Sequence, residues 1–219
     1  MPVTDVYSCL DPVRRSEGFA EAKLALARSG LVVLPTDTVY GLAADAFDPA
    51  GVRRLLRAKG RSRSKPAPVL IGSADTLRAL ATNVNADVRA LADRFWPGAL
   101  TLICRQQASL RWDLGDSRST VAIRVPDHAD ALALLGDVGP LAVSSANLTG
   151  QPPATTVEEA QGQLGEAVDV YLDAGPTPGP LPSTIIDATG DVLRLVRAGM
   201  VPLDELREVA SAIQAAEPD

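Results

Sequence analysis

Short runs of apolar residues alternate with capped helical segments along almost the whole chain. Residues 68–71 (PVLI) and 99–104 (ALTLIC) have the length and composition of buried strands, and helical patterns separate them. Asp48 and Pro49 illustrate the helix starts, because an N-cap carboxylate precedes a proline at the first helical position. Alternation of this kind packs helices against a sheet, so we predict an α/β fold with a mixed sheet.

The element boundaries follow from apolar periodicity, caps and breakers. One predicted strand begins at Leu31, and the others cover residues 68–71, 99–104, 119–125, 141–143, 168–172, 183–187 and 193–196. Predicted helices cover residues 18–28, 49–59, 84–95, 126–135 and 156–164, with another after Ser73 and a last amphipathic helix over 202–215. The length and the 46% hydrophobic share provide core for one domain, which we place over residues 1–219.

A polar segment follows the strand that begins at Leu31. The strand breaks at Pro35 into hydroxyl and carboxylate groups, namely Thr36, Asp37, Thr38 and Tyr40. In open α/β sheets the ligand crevice lies beyond the carboxyl ends of strands, which is where these side chains are expected. An ordinary capped strand exit is the alternative interpretation.

Positive charge is concentrated in one segment of an acidic chain. The sequence has 21 Lys and Arg against 27 Asp and Glu, so its net charge of −6 should repel nucleic acid and anionic membranes at long range. Seven basic residues follow one another without an intervening acid: Arg53, Arg54, Arg57, Lys59, Arg61, Arg63 and Lys65. The helical arginines fit a solvated helix face, whereas the residues around Gly60 and beyond lie in a loop that can converge on phosphate or carboxylate.

Two further features suit an anionic ligand. Residues 144–150 (SSANLTG) place three hydroxyls, an amide and turn N–H groups after a strand, which favours either a polyphosphate cradle or a plain Asx-type turn. Arg124 lies within an apolar strand, and a buried guanidinium needs an anionic partner. That partner is either a structural carboxylate or a substrate carboxylate.

Several other chemistries lack their residues. The sequence contains no GxGxxG, GxxxxGK[ST] or HExxH motif, and the single histidine, His128, lies at a helix start where a surface or capping role is expected. Cys9 and Cys104 have neither zinc-site spacing nor a neighbouring base. We therefore expect no covalent catalysis and no protein-built metal site. With no apolar leader and no membrane-length run, we expect a cytoplasmic protein.

Six motifs occur between about residues 18 and 200: PTDTVYGL at 35–42, KGR with KP at 59–66, STVAIRVP at 119–126, SSANLTG at 144–150, PSTIID at 182–187 and LRLVRAG at 193–199. In this order and spacing the chain resembles the threonylcarbamoyl-AMP synthases of the YrdC/Sua5 type, in their short, single-domain form. The resemblance implies a YrdC/RibB-like fold, with a twisted open mixed sheet, flanking helices and a concave basic site.

The resemblance also implies residue roles. L-threonine would contact Thr38, Arg124, Ser183 and the backbone near Val143. ATP would contact Lys59, Arg61, Lys65, Thr120, Ser145, Asn147, Arg197 and the backbone near Pro153. A catalytic contribution is expected from Lys59, Arg61, Ser145 and Asn147. The chain departs from the family pattern at Leu70, at Ala198 and at Arg63 with Ser64.

The implied reaction is nucleotidyl transfer. L-threonine, bicarbonate or CO2, and ATP would give threonylcarbamoyl-AMP and pyrophosphate, an early step toward the t6A modification of tRNA position 37. Mg²⁺ would be held mainly by the ATP phosphates. A downstream tRNA threonylcarbamoyl-transfer complex would accept the product. Such a reaction chiefly needs positioning, exclusion of water and positive charge, which fits a chain without a catalytic triad.

Two alternatives use the same features. A double-stranded RNA or ribosome-assembly binding module would use the basic loop, and weak RNA binding remains compatible with the synthase as well. The net charge of −6 and the 4% aromatic content provide neither a broad basic footprint nor a stacking surface. The other alternative is a carbamoyl-transfer module like that of hydrogenase-maturation proteins, whose zinc-finger and acylphosphatase domains are not recognisable in this sequence.

Overall fold

Residues 5–215 are described in this computed structural model, and within them eleven strands form one sheet. The strands are β1 (Val6–Ser8), β2 (Val32–Leu34), β3 (Gly41–Asp45), β4 (Val69–Leu70), β5 (Ala81–Thr82), β6 (Leu100–Gln106), β7 (Thr120–Arg124), β8 (Leu141–Ser145), β9 (Val170–Asp173), β10 (Thr184–Asp187) and β11 (Arg194–Arg197). The helices are α1 (Pro12–Ala27), α2 (Pro49–Ala58), α3 (Leu77–Leu80), α4 (Ala86–Phe95), α5 (Ala129–Val138), α6 (Val157–Leu164) and α7 (Leu203–Val209).

The sheet is mixed, as predicted. Its strand order is β1-β9-β2-β3-β8-β4-β7-β6-β10-β11, and β5 pairs with β6 beside this path. It contains parallel pairs, such as β4 with β7 and β6 with β10, and antiparallel pairs, such as β3 with β8 and β6 with β7. Strands distant in sequence therefore become neighbours at the centre of the sheet.

The two faces of the sheet are covered by different helices. Alternate residues of β2 divide between two apolar clusters, with Val33 on one face and Val32 and Leu34 on the other. The cluster of Val33 includes residues of α2, α4, α6 and α7, whereas that of Leu34 includes residues of α1 and α5. Each fully buried Leu or Val stabilises the fold by roughly 1.5–3 kcal/mol.

Local signals fix several helix starts. The Asp48 side chain accepts a hydrogen bond of 2.9 Å from the Ala50 N–H at the start of α2. Thr156 caps α6 by accepting from Glu159 N at 3.3 Å. His128 is the N-cap of α5, where its Nδ1 accepts from Asp130 N at 3.3 Å, so the expected capping role is confirmed.

The predicted C-terminal helix over 202–215 is wrong in its second half. Helix α7 ends at Val209, and Ala210 adopts a non-helical conformation. The chain then turns so that Gln214 forms a parallel bridge with Arg194 at the outer side of β11. Backbone hydrogen bonds to the open strand thus replace helical ones, while Ile213 remains buried as its apolar character demands.

Other differences from the sequence predictions concern short elements. Strands β1, β3 and β5 were not predicted, and the segment after Ser73 is a short 3-10 turn followed by the single-turn helix α3. Helix α1 begins at Pro12, capped by Asp11, rather than at residue 18. Helix α5 continues through Gly136 to Val138. No helix in the described part of the chain combines the length and apolar character needed to cross a membrane.

Candidate active site

Helices α1 and α5 cover part of one face of the sheet, and a cavity of about 320 Å³ lies over another part of the same face. Leu70 and Val143 belong to the apolar cluster of that face and also line the cavity. Strand register places further lining residues beside them, because Leu70 pairs with Arg124 and Gly41 pairs with Ser145. Part of this face is thus left free of helices and forms a concave site.

Nine of the twelve residues assigned by resemblance line this cavity: Thr38, Arg61, Arg124, Val143, Ser145, Asn147, Pro153, Ser183 and Arg197. They come from the loop after β2, the loop after α2, strands β7, β8 and β11, and the loops around β8 and β10. The three others, Lys59, Lys65 and Thr120, do not line it.

Arg124 is held entirely by protein oxygens. Its Nε donates to the Gly98 carbonyl at 2.9 Å, Nη1 donates to Thr38 Oγ1 at 3.0 Å, and Nη2 contacts Asp37 Oδ1 at 2.5 Å. The side chain is 7% exposed, and burial lowers the pKa of Arg124 against the opposing effect of Asp37. The sequence left two possible anionic partners for Arg124, a structural carboxylate or a substrate carboxylate. The structure provides a structural one, that of Asp37. Arg124 nevertheless faces the cavity.

Thr36 and Thr38 form a buried hydroxyl pair at the start of the site. Their Oγ1 atoms are 3.0 Å apart, and Thr36 Oγ1 donates to the Val39 carbonyl at 2.7 Å. Thr38 N donates to Thr36 Oγ1 at 3.2 Å. This turn closes the polar segment after β2, and both residues line the cavity.

Tyr40 connects the cavity to a proline-rich loop. Its hydroxyl donates to the Gly175 carbonyl at 2.7 Å and accepts from Ala174 N at 3.2 Å. Burial raises the pKa of Tyr40 above its ordinary range. The loop over residues 175–182 ends at Pro182, which also lines the cavity, so both ends of the loop are anchored at the site.

Lys59 lies beneath the cavity rather than in it. It is 2% exposed, and its Nζ donates to the Ser145 carbonyl, to the Asn147 carbonyl at 2.6 Å and to Asn147 Oδ1 at 3.3 Å. The Asn147 amide donates in turn to the Leu148 and Gln151 carbonyls, each at 2.8 Å. Lys59 and Asn147 thus fix the loop that follows β8. Burial, together with the positive charge of Arg61, lowers the pKa of Lys59 to about 8.

Arg197 and Ser183 form the opposite wall. Nε and Nη2 of Arg197 both donate to the Ser183 carbonyl, at 3.1 and 2.7 Å, and Nη2 also donates to Ser183 Oγ at 3.2 Å. Ser183 Oγ lies 2.8 Å from Thr101 Oγ1, and both hydroxyls are buried. The pairing of Thr101 with Ile185, and of Ile185 with Arg197, brings these side chains to one place.

Positive charges converge on the cavity. Burial lowers the pKa of Arg197, and the neighbouring charges of Arg124 and Arg61 lower it further. Arg61 is fixed by its own loop, since Nε donates to the Lys65 carbonyl at 2.7 Å and Nη2 to the Pro66 carbonyl at 3.1 Å. Among residues 5–215, no Asp or Glu lines the cavity. The pocket is therefore locally cationic although the net charge of the protein is negative, and it suits an anionic ligand.

The rest of the basic segment points elsewhere. Arg54 pairs with Asp169 at 2.9 Å, and Arg63 pairs with Asp113 at 2.7 Å. Arg53 and Arg57 are exposed and line a second, shallow cavity on the outer side of Arg61. Lys65 is exposed. Thr120 Oγ1 donates to the Ser117 carbonyl at 2.6 Å at the start of β7.

Some lining residues were not predicted as site residues. They include Thr101, Gln151 and Ile185, which join the cavity through sheet pairing and loop packing. The polar strand exit predicts that Thr36 and Tyr40 lie near the crevice, without indicating a specific role for either. The detectable signal for Thr101 was a hydroxyl within an otherwise apolar strand.

Comparison with known proteins follows the same features. The family model of Sua5, YciO and YrdC, described as telomere recombination, matches residues 24–199. A putative threonylcarbamoyl-AMP synthase of Mycobacterium leprae is 50% identical over 213 residues, which cover 97% of both chains. A threonylcarbamoyl-AMP synthase of Bacillus subtilis is 38% identical over 215 residues, covering 96% of this chain and 60% of the relative.

Solved structures agree with the fold. The crystal structure of P. abyssi Sua5 complexed with L-threonine superposes with a TM-score of 0.90 at 32% identity, over 97% of this chain and 63% of that one. This chain thus spans under two thirds of the B. subtilis and P. abyssi proteins and nearly the full length of the M. leprae protein. The chain belongs to the Sua5/YciO/YrdC family.

Proposed function

We propose that the protein is an L-threonylcarbamoyladenylate synthase, a nucleotidyltransferase that converts L-threonine, bicarbonate or CO2, and ATP to threonylcarbamoyl-AMP and pyrophosphate. The observation that carries the proposal is the convergence of Arg61, Arg124 and Arg197 on a cavity that is rich in hydroxyls and to which the described part of the chain contributes no carboxylate. Relatives that match most of this chain bear the name of this synthase, and a related structure contains L-threonine.

The residues that line the cavity form two groups that suit the two larger substrates, and the groups meet where Arg197 donates to Ser183. Thr38, Arg124, Ser183 and the backbone at Val143 form one group, to which we assign L-threonine. Arg61, Ser145, Asn147, Arg197 and the backbone near Pro153 form the other, to which we assign ATP. Lys59 contributes indirectly, because it fixes the Ser145–Asn147 segment that lines the cavity. Lys65 and Thr120 do not line the cavity, so any contribution from them to ATP binding would come from outside it.

The chemistry then requires positioning more than proton transfer. The threonine nitrogen forms a bond to the carbon of CO2 and loses a proton, which gives a carbamate; bicarbonate reaches the same product with loss of water. A carbamate oxygen bonds to the α-phosphorus of ATP while the bond to the pyrophosphate oxygen breaks. Cations held in fixed positions around the phosphates favour the charge that develops on them.

Mg²⁺ is proposed to accompany ATP. Mg²⁺ prefers carboxylate, phosphate and water oxygens in octahedral geometry. The cavity offers hydroxyl and carbonyl oxygens, while the nearby Asp37 carboxylate is engaged by Arg124 and by Asp127 N at 3.0 Å. The residues therefore fit a cation held chiefly by phosphate oxygens and water. When bound, it would offset phosphate charge.

The product is a mixed anhydride of a carbamate and a phosphate, which a carbamoyl transfer must consume. We propose that this transfer is made by a tRNA threonylcarbamoyl-transfer complex. The RNA-binding module is not favoured, because the relatives that match this chain are named synthases and Arg61, Arg124 and Arg197 line a cavity.

The test is pyrophosphate release. Purified protein with L-threonine, bicarbonate, ATP and Mg²⁺ should release pyrophosphate, and omission of threonine or bicarbonate should stop it. Arg61→Ala should lower the rate by about 10²-fold or more, as expected for loss of a donor to developing charge. Arg57→Ala, an exposed arginine of the same segment, is the matched control and should leave the rate unchanged. Release of ADP, or release that ignores threonine, would contradict the proposal.

A further inference from the structure

We propose that Thr36 is a positioning residue that fixes the hydroxyl proton of Thr38, so that Thr38 offers only an acceptor to the amino-acid substrate. Its partner would be a donor group of that substrate, an N–H of the amine or the O–H of the side chain. The inference rests on the proposed function, because it refines how threonine is held.

The argument begins with the hydrogen-bonding capacity of Thr36. A hydroxyl has one proton to donate and two lone pairs to accept with. The proton of Thr36 is committed to the Val39 carbonyl at 2.7 Å, since a carbonyl can only accept. One lone pair accepts from Thr38 N at 3.2 Å. Thr36 Oγ1 can therefore take part in its 3.0 Å contact with Thr38 Oγ1 only as an acceptor.

The direction of that contact then determines the hydrogen-bonding role of the Thr38 hydroxyl. Its hydroxyl proton is directed to Thr36 Oγ1, and one of its lone pairs accepts from Arg124 Nη1 at 3.0 Å, because a guanidinium can only donate. One lone pair is left over. Thr38 lines the cavity and is 2% exposed, so a ligand could reach this lone pair only from the cavity side.

A fixed acceptor distinguishes donors from acceptors. A hydroxyl that is free to rotate binds either kind of group, whereas Thr38 would reject a ligand that presents an oxygen lone pair at this position. Asp37 strengthens the arrangement, because its pairing with Arg124 holds the guanidinium that occupies the other lone pair of Thr38. Thr36 acts only through Thr38 in this scheme.

The experiment compares Thr36→Val, which keeps the shape and removes the hydroxyl, with Thr36→Ser, which restores it. Pyrophosphate release should show a rise of about three- to tenfold in the threonine KM for Thr36→Val, as expected for one lost directional hydrogen bond. The ATP KM should change by less than about twofold, and Thr36→Ser should recover most of the threonine affinity. Calorimetric titration of L-threonine without ATP should show the same order of affinities.

A matched control separates this effect from simple loss of a buried hydroxyl. Thr184 Oγ1 donates to the Val201 carbonyl at 2.7 Å and accepts from Val201 N at 3.1 Å, much as Thr36 does, but Thr184 does not line the cavity. Thr184→Val should lower thermal stability and leave the threonine KM unchanged. If Thr36→Val behaves like Thr184→Val while the wild type is active, the positioning role is refuted; a wild type without threonine-dependent release would instead refute the proposed function.

Analogues distinguish the donor. With L-2-aminobutyrate, which lacks the side-chain hydroxyl, the penalty of Thr36→Val should disappear if the O–H is the donor and persist if the N–H is. An equal penalty on both the threonine KM and the ATP KM would overturn the proposal, because it would indicate a general disturbance of the cavity.

Discussion

Several side chains at the site form hydrogen bonds to other parts of the protein, so they hold the structure together as well as contributing to the site. Lys59 is the strongest case, because its ammonium group donates to three oxygens, one of Ser145 at the end of β8 and two of Asn147 in the following loop, and none of them is a carboxylate oxygen. Its charge is therefore held against the cost of burial by carbonyl dipoles. Because burial lowers the pKa of Lys59 to about 8, its protonation state changes near that pH.

We expect affinity for a non-hydrolysable ATP analogue, measured without threonine, to fall as pH rises above about 8, the pKa of Lys59 in the free protein. Neutral Lys59 attracts phosphate less. Because the folded protein binds this proton less tightly than the unfolded chain, the free energy of unfolding should rise from about pH 8 toward the ordinary lysine pKa of 10.5. Lys59→Arg should flatten the affinity profile, and an unchanged profile would exclude Lys59 as its cause.

Arg124→Lys should reduce both stability and threonine affinity. One ammonium nitrogen cannot reach the three separate acceptors that the guanidinium contacts, at Gly98, Thr38 and Asp37. Loss of charge-assisted hydrogen bonds at this buried site should cost roughly 1.5–3 kcal/mol in the free energy of unfolding. Denaturant titration measures that cost, and exposed Arg78→Lys is the control. Unaltered stability would show that the pair with Asp37 is dispensable.

The sequence motifs predicted which residues lie near the cavity better than they predicted how deeply each residue is buried. Arg61 and Lys59 are two positions apart, yet Arg61 faces the cavity while Lys59 lies beneath it. The difference arises because Lys59 is the C-cap of α2 and turns toward the loop after β8, a neighbour determined by tertiary packing. Likewise Thr101 enters the site only because β6 pairs with β10.

At the scale of elements, strand β3 explains where prediction from sequence stops. Its residues Gly41–Asp45 (GLAAD) have weak strand propensity, and the polar turn before them reads as a loop. Pairing with β2 on one side and β8 on the other makes this segment a strand. Helices with strong caps, such as α2 and α6, needed no such tertiary information.

Gly199, which follows β11 and lies against the backbone at the start of β10, should tolerate no side chain. A Cβ there would lie 2.5 Å from the Ser183 carbonyl carbon and 2.5 Å from Thr184 N, both backbone atoms that cannot move aside freely. Gly199→Ala should therefore destabilise the protein by about 1–3 kcal/mol. The control is Gly190→Ala, where nothing lies within 4 Å of the added atom. Denaturant midpoints compare the two, and equal midpoints would contradict the expectation.

For the whole molecule, one continuous sheet predicts one unfolding unit. Strands from both ends of the chain share it, since β1 lies at one edge and β11 at the other. We expect a single calorimetric transition whose calorimetric and van't Hoff enthalpies agree. Two resolved transitions would contradict the prediction of one domain over residues 1–219.

The pairing of Gln214 with β11 has a further consequence for behaviour at high concentration. Leu195 N donates to the Gln214 carbonyl and Gln214 N donates to the Leu193 carbonyl, each at 2.9 Å, so part of this outer strand is already occupied. At the other edge, an Arg14 guanidinium nitrogen donates to the Val6 carbonyl at 3.3 Å. Open strand edges are templates for aggregation between copies. At both edge strands of this sheet, some backbone groups are therefore already hydrogen-bonded within the chain, which disfavours edge-to-edge self-association.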